Sequence, residues 1–538
     1  MMNRLPRELV EEIVLVFAHT AAKNDVLTTR LVCRDFNHLL RPIGCRTLNL
    51  DSTRLNKHSK HSKPRPEGLQ TIGHRCKALH IDMTVLRDDY EVETLSTLLQ
   101  SLPSMDAFCR ALRHKYSFSE TAFTEHDFYQ ATAEMLFYCR DVDRARICLP
   151  FPVMGVQCSA ATRVLANALK ALAQRPDEDS TALAALVVDG VADDTLCELW
   201  MNPSDVMNMQ ALLPSVETLV LVVRRLGAGS FSATVFGVAM WNMIWHAARL
   251  KSLCLAGSNM VRSEDGTLQL TTLDNMDRAQ WLEKRFPGPG AQLTLPKPAY
   301  LELKNIMILP EDLLRIAAAF GPSLEELHMT NVCIMTQQSL TENTNSDMHL
   351  WVGLPNQDPG ERLWMAMRFR ALMPKLRICR CSYLNYKVLI GAGLPHSYDF
   401  DYADPSGLGR SVSQRFVEVV TGVRQPRLSS GEPAYMRPHD PEHNDLLHNL
   451  AERRSRLPMA EHDYNAHRLA SMDRRPDYQY SIDGLFRNCV DSSIKELTYI
   501  AEMVREGVTV LQEQTRNGVH GVDTLAPDLL APDPPATG

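Results

Sequence analysis

Short runs of alternating apolar and polar residues recur along this chain, separated by stretches of helical period. AALVVDG (184–190), ETLVLVV (217–223), KSLCLAG (251–257), AYLELKN (299–305) and EELHMTN (325–331) each carry an apolar pair two positions apart. The pairs are Leu186/Val188, Leu219/Leu221, Leu253/Leu255, Leu301/Leu303 and Leu327/Met329. A period of two belongs to a half-buried strand. RTLNLDS (46–52), KALHIDM (77–83) and ARICLP (145–150) show the same pattern earlier, and KLRICRCSYL (375–384) forms the last such unit. A second cue precedes several runs. Leu213-Pro214-Ser215-Val216-Glu217-Thr218-Leu219 matches Gly321-Pro322-Ser323-Leu324-Glu325-Glu326-Leu327 in spacing, and Leu102-Pro103-Ser104-Met105 and Met373-Pro374-Lys375-Leu376 read as further copies. Proline closes the preceding helix, an apolar residue dips inward, and a strand begins.

Helical patterns fill the gaps. Region 92–140 carries a stripe of Leu95, Leu98, Leu99 and Leu102 continued by Phe108, Leu112 and Tyr116, and Ala160–Gln174, Phe236–Leu250 and Pro310–Phe320 follow at the same period. The expected class is α/β, with one strand and one helix per unit. Units of this size cannot cover both faces alone and must stack, as in a leucine-rich-repeat-like solenoid. The strand spacing is wider than the roughly 20–29 residues of regular repeats, so the array over 44–398 is read as irregular and rich in insertions. The competing arrangement is a compact α/β domain with right-handed crossovers. After 398 the periodicity fades. Residues 399–482, rich in Pro, Arg, Asp, His and Ser, read as largely loop or disorder. An amphipathic helix is expected over 483–515, with Asp491 or Ser492 as cap and Ile494, Leu497, Ile500, Val504, Val508 and Leu511 on one face, placed to cap the open end of the array. Residues 516–538 read as a flexible tail.

The N-terminal stretch, LPRELVEEIVLVFAHTAAKNDVLTTRLVCRDFNHLLRP (5–42), differs in texture. Leu9, Ile13 and Phe17 share one face of a first helix, Pro6 suits its first turn, and Glu8, Glu11 and Glu12 complement its dipole. A second helix is expected from Asn24 or Asp25, carrying Leu27, Leu31, Val32, Phe36 and Leu39 and stopped by Pro42. So short a module buries little surface alone. The leading Leu-Pro, the Leu and Ile one turn apart, and Arg-Leu-Val-Cys-Arg-Asp-Phe before a run of Leu resemble an F-box. The resemblance implies docking onto the Skp-type adaptor of an SCF ubiquitin ligase, and so onto its cullin core. Leu5, Pro6, Leu9, Ile13, Leu31, Val32, Cys33 and Phe36 would form the docking face. Phe36 stands where many members carry Trp, and Ala18–Asp25 is longer and more polar than their inter-helix turn. The repeat region resembles that of fungal-type F-box proteins, which implies a target-protein surface there. The chain is thus expected to comprise an F-box-like module (1–43), the repeat region, and the C-terminal segments.

Composition narrows the classes. The 538 residues carry 57 basic and 64 acidic side chains, net −7, with 45% hydrophobic residues. A modest negative charge argues against a nucleic-acid surface spread over the whole chain. No run has the roughly 18 apolar residues of a membrane helix, and the glutamates inside the first apolar segment speak against a secretory signal. The 13 cysteines are scattered without a C-x-x-C pair, as expected of reduced thiols in cytosol or nucleus.

Catalytic signatures are absent: there is no phosphate-binding G-x-x-x-x-G-K-[ST], no G-x-S-x-G elbow and no H-E-x-x-H helix. Gly-Ala-Gly at 227–229 and 391–393 reads as turns. In His439-Asp440-Pro441-Glu442-His443 the proline breaks any helix that would pair the histidines on a metal. The basic loop Arg54, Lys57, Lys60, Lys63, Arg65, with His58 and His61, reads as solvated, since no aromatic residue is interleaved for stacking. The competing reading is a phosphate- or acid-binding arm; this loop and Arg224-Arg225 are the first places to look for phosphorylation-dependent target recognition. Cys33, between Leu31-Val32 and Phe36, is expected to pack as a buried thiol. No cofactor, metal or catalytic residue is expected. The choice lies between a non-enzymatic ligase receptor and a scaffold whose N-terminal module packs internally, burying Leu9, Ile13, Val32 and Phe36. An enzyme with an unfamiliar site ranks last.

Overall fold

The computed structural model describes residues 6–21, 23–57, 66–151, 153, 159–176, 180–224, 231–257, 268–270, 296–308, 310–338, 365–382, 384–390, 396–399, 416–417, 420, 462–463 and 494–516. The basic loop beyond Lys57, both Gly-Ala-Gly turns, Arg225, His439–His443 and nearly all of the stretch after 399 lie outside them. The chain is α/β and divides into two units. The first comprises Met1–Ala182, Glu198–Asn208 and Asn488–Gly538, the second Leu183–Cys197 and Met209–Arg487. The division falls inside the expected region 44–398.

The first unit opens with α1 (Arg7–Thr20), α2 (Lys23–Thr29) and α3 (Arg34–Gly44). The single second helix expected over 24–42 is broken at Arg30–Cys33, and Pro42 lies inside α3 instead of ending it. Three parallel strands follow, β1 (Thr47–Asp51), β2 (Ala78–Asp82) and β3 (Arg144–Cys148). Leu48 stands beside Leu79 and Ala145, and Leu50 beside Ile81 and Ile147, so the alternating pairs form continuous buried columns. Between and after the strands come α4 (Ser52–Leu55), α5 (Pro66–Ile72), α6 (Asp89–Leu99), α7 (Asp106–Ala111), α8 (Glu125–Tyr138) and α9 (Ser159–Ala173), with a π-turn at Leu112–Tyr116. Leu102-Pro103-Ser104-Met105 leads into α7, not into a strand. Asp106 supplies an acidic side chain in the first turn of that helix, which favours helical continuation.

In the second unit β4 (Ala185–Ala192), β5 (Thr218–Arg224), β6 (Ser252–Gly257), β8 (Tyr300–Ile308), β9 (Glu326–Gln338) and β10 (Ile378–Ser382) lie parallel in that order. β7 (Leu268–Leu270) joins β8, while β11 (Asn385–Ile390) and β12 (His396–Asp399) extend the second half of β9. The helices are α12 (Phe231–His246), α13 (Pro310–Phe320) and α14 (Met365–Leu372); α10 (Asp193–Met201) and α11 (Pro203–Leu212) fall where the chain divides. All five apolar pairs are in register. Leu186, Leu219, Leu253, Leu301, Leu327 and Cys379 form one row; Val188, Leu221, Leu255, Leu303, Met329 and Cys381 form the next. Every member is buried, and each large aliphatic side chain contributes about 1.5–3 kcal/mol of transfer free energy.

The repeat extends to single hydrogen bonds. The carbonyl just before a strand accepts two N–H groups from the start of the next. In the first unit Arg46 O accepts from Lys77 and Ala78, and Lys77 O from Asp143 and Arg144. In the second, Ala184, Glu217, Lys251, Ala299 and Glu325 do the same in turn. Ahead of β2, β3, β5, β6, β9 and β10 lies a turn closed from its first carbonyl to its fourth N–H: Gly73–Cys76, Cys139–Val142, Leu213–Val216, Ala247–Leu250, Gly321–Leu324 and Met373–Leu376. The fourth residue is buried each time. The matched serines act alike. Ser215 Oγ donates to Leu183 O (3.0 Å) and Leu212 O (2.9 Å), and Ser323 Oγ to Pro298 O (2.9 Å) and Phe320 O (3.0 Å).

Beyond the apolar pairs lies a column the sequence reading did not anticipate. Asn305 and Asn331 adopt positive φ (53° and 52°). Asn331 Nδ2 donates to Asn305 Oδ1 (3.0 Å), and Asn305 Nδ2 to Gly257 O (3.2 Å). Asparagine tolerates the left-handed region that most residues avoid. Along β8 the burial shifts phase there, from Leu301 and Leu303 to Ile306 and Ile308.

The C-terminal helix, α15, is described over Ile494–Arg516; the expected start at 483 and the caps Asp491 and Ser492 lie outside the described residues. It joins the first unit, packing on α6, α7 and the π-turn. Its apolar stripe matches the Leu95, Leu99 and Phe108 surface.

Candidate protein-docking surface

The N-terminal helices divide their apolar residues between two faces. In α1 the Pro6 carbonyl accepts the N–H of Val10 (3.2 Å), and Glu8 lies in the first turn. Val14 and Ala18 are buried with Val26 of α2 and Leu40 of α3, and Val10, Phe17, Ala21, Phe36, Leu39 and Ile43 pack around them. This spacing of three and four is the core stripe. Leu9, Ile13 and Val16 form a second stripe one residue out of phase, and it faces solvent, at 46%, 46% and 57% exposure.

The break between α2 and α3 carries the next two apolar residues. Arg30, Leu31 and Val32 donate their N–H groups to the carbonyls of Val26, Thr28 and Thr29, so the turn is fixed by its own backbone. Leu31 and Val32 project from it, 78% and 71% exposed. Cys33 ends the turn in extended conformation, and its Sγ accepts the Phe36 N–H at 3.4 Å. The expected buried packing role of Cys33 is corrected: the thiol is exposed and takes the capping position usually filled by a hydroxyl or carboxylate. Of the eight residues assigned to a docking face, Pro6, Leu9, Ile13, Leu31, Val32 and Cys33 are exposed, Phe36 is half-buried, and Leu5 lies outside the described residues. Leu15 and Val16, also exposed, were missed, although the run IVLVF (13–17) has more apolar residues than one helix face can bury. Six of the eleven large apolar side chains exposed among the described residues fall within this module. That concentration is the feature that marks interaction surfaces.

Other polar and titratable side chains gather in small local clusters. Arg87 is fully buried 3.6 Å from the Glu91 carboxylate; it donates to the carbonyls of Val85 (3.1 Å), Phe151 (2.5 Å) and Thr84. Glu91 accepts the N–H of Val153. Asp88 accepts from Ser159 Oγ and from the Ala160 N–H at the start of α9. Arg163 joins Asp89 (3.3 Å) to Glu125 (3.0 Å); burial pushes the Asp89 carboxyl up against the pull of Arg163. His80 Nε2 lies 3.4 Å from Cys148 Sγ, with both side chains closed to solvent. In the second unit His328 stacks beside Tyr300 (4.8 Å between rings) and lies 3.3 Å from Glu326, whose carboxyl it holds below the usual range. No group of three or more potential metal ligands comes together among the described residues, and no helix there is long and apolar enough to cross a membrane.

No protein-family model matches the sequence, and no curated protein matches it significantly.

Proposed function

We propose that this chain is the target-recognition subunit of an SCF-type ubiquitin ligase, a non-catalytic receptor that binds a Skp-type adaptor through its N-terminal module. The observation that carries this reading is the exposure of Leu9, Ile13, Leu31 and Val32 on helices whose own core is already filled by Val14, Ala18, Val26 and Leu40. The scaffold alternative requires the same side chains to be covered within the chain. The Leu columns, the repeated strand-entry bonds and the asparagine column support an irregular leucine-rich-repeat-like solenoid as the part that meets the target protein. Its contribution to ubiquitin transfer would be proximity, holding a target lysine near the carrier. Cytosol or nucleus is the compartment this role requires.

The test is co-purification with a Skp-type adaptor. Leu9→Asp/Val32→Asp alters two exposed positions, so stability should change by no more than about 0.5 kcal/mol per substitution while binding is lost. A folded parent that does not bind would overturn the proposal and favour the scaffold.

A further inference from the structure

We propose that α6, α7 and the π-turn of the first unit form a helix-binding groove, and that α15 is its built-in, displaceable occupant. The groove is lined by Leu95, Leu99, Leu102, Met105, Phe108 and Leu112, all buried beneath α15 or its flanks. α15 meets it along one stripe. Ile500 and Val504 are buried, and Leu497, Met503, Val508 and Leu511 pack beside them at half-burial. Gly507 marks the closest approach: a Cβ there would stand 2.4 Å from Leu99 Cδ2. A glycine inside a helix costs about 1 kcal/mol relative to alanine, and here its missing side chain lets the helix settle onto Leu99. Phe108 and Tyr499 meet edge to face (6.1 Å), and Lys115 Nζ pairs with Glu496 Oε1 (3.0 Å).

Two features leave the seat open to displacement. Apart from Ile500, Val504 and Gly507, the side chains of α15 that can be described are half-buried or exposed. Its ion pair is partly exposed on both sides, where such pairs add little. An amphipathic helix with apolar residues at i, i+3, i+4 and i+7, supplied in trans, would compete for the same seat, which is the helix-in-groove mode of recognition. The inference is independent of the ligase reading.

The experiment uses a fluorescently labelled peptide of residues 491–518 and the full-length chain. Binding is measured to the parent and to the full-length Ile500→Asp/Val504→Asp variant, whose own helix cannot seat. The variant should bind the peptide at least tenfold more tightly than the parent, and a peptide carrying the same two changes should bind neither. Should that variant fail to fold, hydrogen exchange on the unmodified chain decides. α15 amides exchanging well before those of α6 uphold a displaceable helix. Exchange of α15 together with α6, or equal peptide affinities for parent and folded variant, would overturn it.

Discussion

Gly73 and Gly68 lie five residues apart and should respond oppositely to the same methyl group. Gly73 is the first residue of the turn before β2. A Cβ built on it would stand 2.1 Å from the Tyr138 carbonyl oxygen and 2.8 Å from its carbon, where ordinary contact begins at 3.4 Å. The obstacle is backbone at the end of α8, with no rotamer to relieve it. Overpacking of this kind costs about 1–3 kcal/mol, and a fixed obstacle puts Gly73→Ala at the upper end. Moving the turn instead would disturb the Cys76 N–H bond to Gly73 O (3.0 Å) and the Cys76 thiol bond to Cys45 O (3.1 Å). Gly68, inside α5, has nothing within 4 Å of its would-be Cβ, so Gly68→Ala should stabilise by about 0.5–1 kcal/mol through helix propensity. Thermal unfolding followed by calorimetry should show the first unit's transition lowered by about 6–12 °C in Gly73→Ala, from roughly 2–4 °C per kcal/mol, and raised slightly in Gly68→Ala. If Gly73→Ala melts within 2 °C of the parent, the close apposition of successive turns is wrong.

The asparagine column gives a second graded pair: Asn331→Val should cost about 2–3 kcal/mol, combining left-handed strain with a lost hydrogen bond, while Asn331→Gly keeps the backbone and should cost about 1 kcal/mol by chemical denaturation. Arg87→Leu strands the Glu91 carboxylate in the core and should destabilise by about 3–5 kcal/mol, with only partial recovery in Arg87→Lys, because lysine restores the charge but cannot reach three carbonyls from one planar group. Glu326 has its folded pKa depressed below the ordinary 4.5, chiefly by its hydrogen bond to His328. Its stabilisation is therefore complete above about pH 4.5 and lost as pH falls through the folded value; melting temperatures between pH 6 and 3 should fall less steeply in Glu326→Gln than in the parent. Maleimide labelling of the native chain followed by mass spectrometry should modify Cys33 well before Cys379, whose thiol burial raises to about 12.

The strands were legible because their signal is local. A two-residue apolar period states which face is buried, and the Pro-Ser turns at 213–216 and 321–324 mark where β5 and β9 start; the same turn at 102–105 runs into a helix because Asp106 follows it. The asparagine column was legible too, as Leu-x-Leu-x-Gly, Leu-x-Leu-x-Asn and Leu-x-Met-x-Asn at 253–257, 301–305 and 327–331. It calls for reading the position after the apolar pair as one that takes positive φ in the two asparagines. The break at Arg30–Cys33 carried neither glycine nor proline, and its cap is a thiol, so periodicity ran straight through it. The seat of α15 could not be read at all. Its stripe states that a face is buried, but the complementary surface lies some four hundred residues earlier, and no local pattern encodes that pairing.

What makes two strands neighbours here is thus not a fixed repeat length. The distance along the chain from β2 to β3 holds three helices and a π-turn, while that from β8 to β9 holds one helix, yet both junctions use the same pair of N–H bonds to one carbonyl and the same buried residue two positions ahead of the strand. Long connections are thermodynamically cheap, since loop-closure entropy grows only logarithmically with length. The junction carries the constraint and the connection is left free to vary. In the first unit such an insertion, α6 to α7, became the surface on which α15 sits. A chain built this way can acquire binding surfaces by lengthening its connections while the strand register, set by two hydrogen bonds and one buried side chain per unit, stays unchanged.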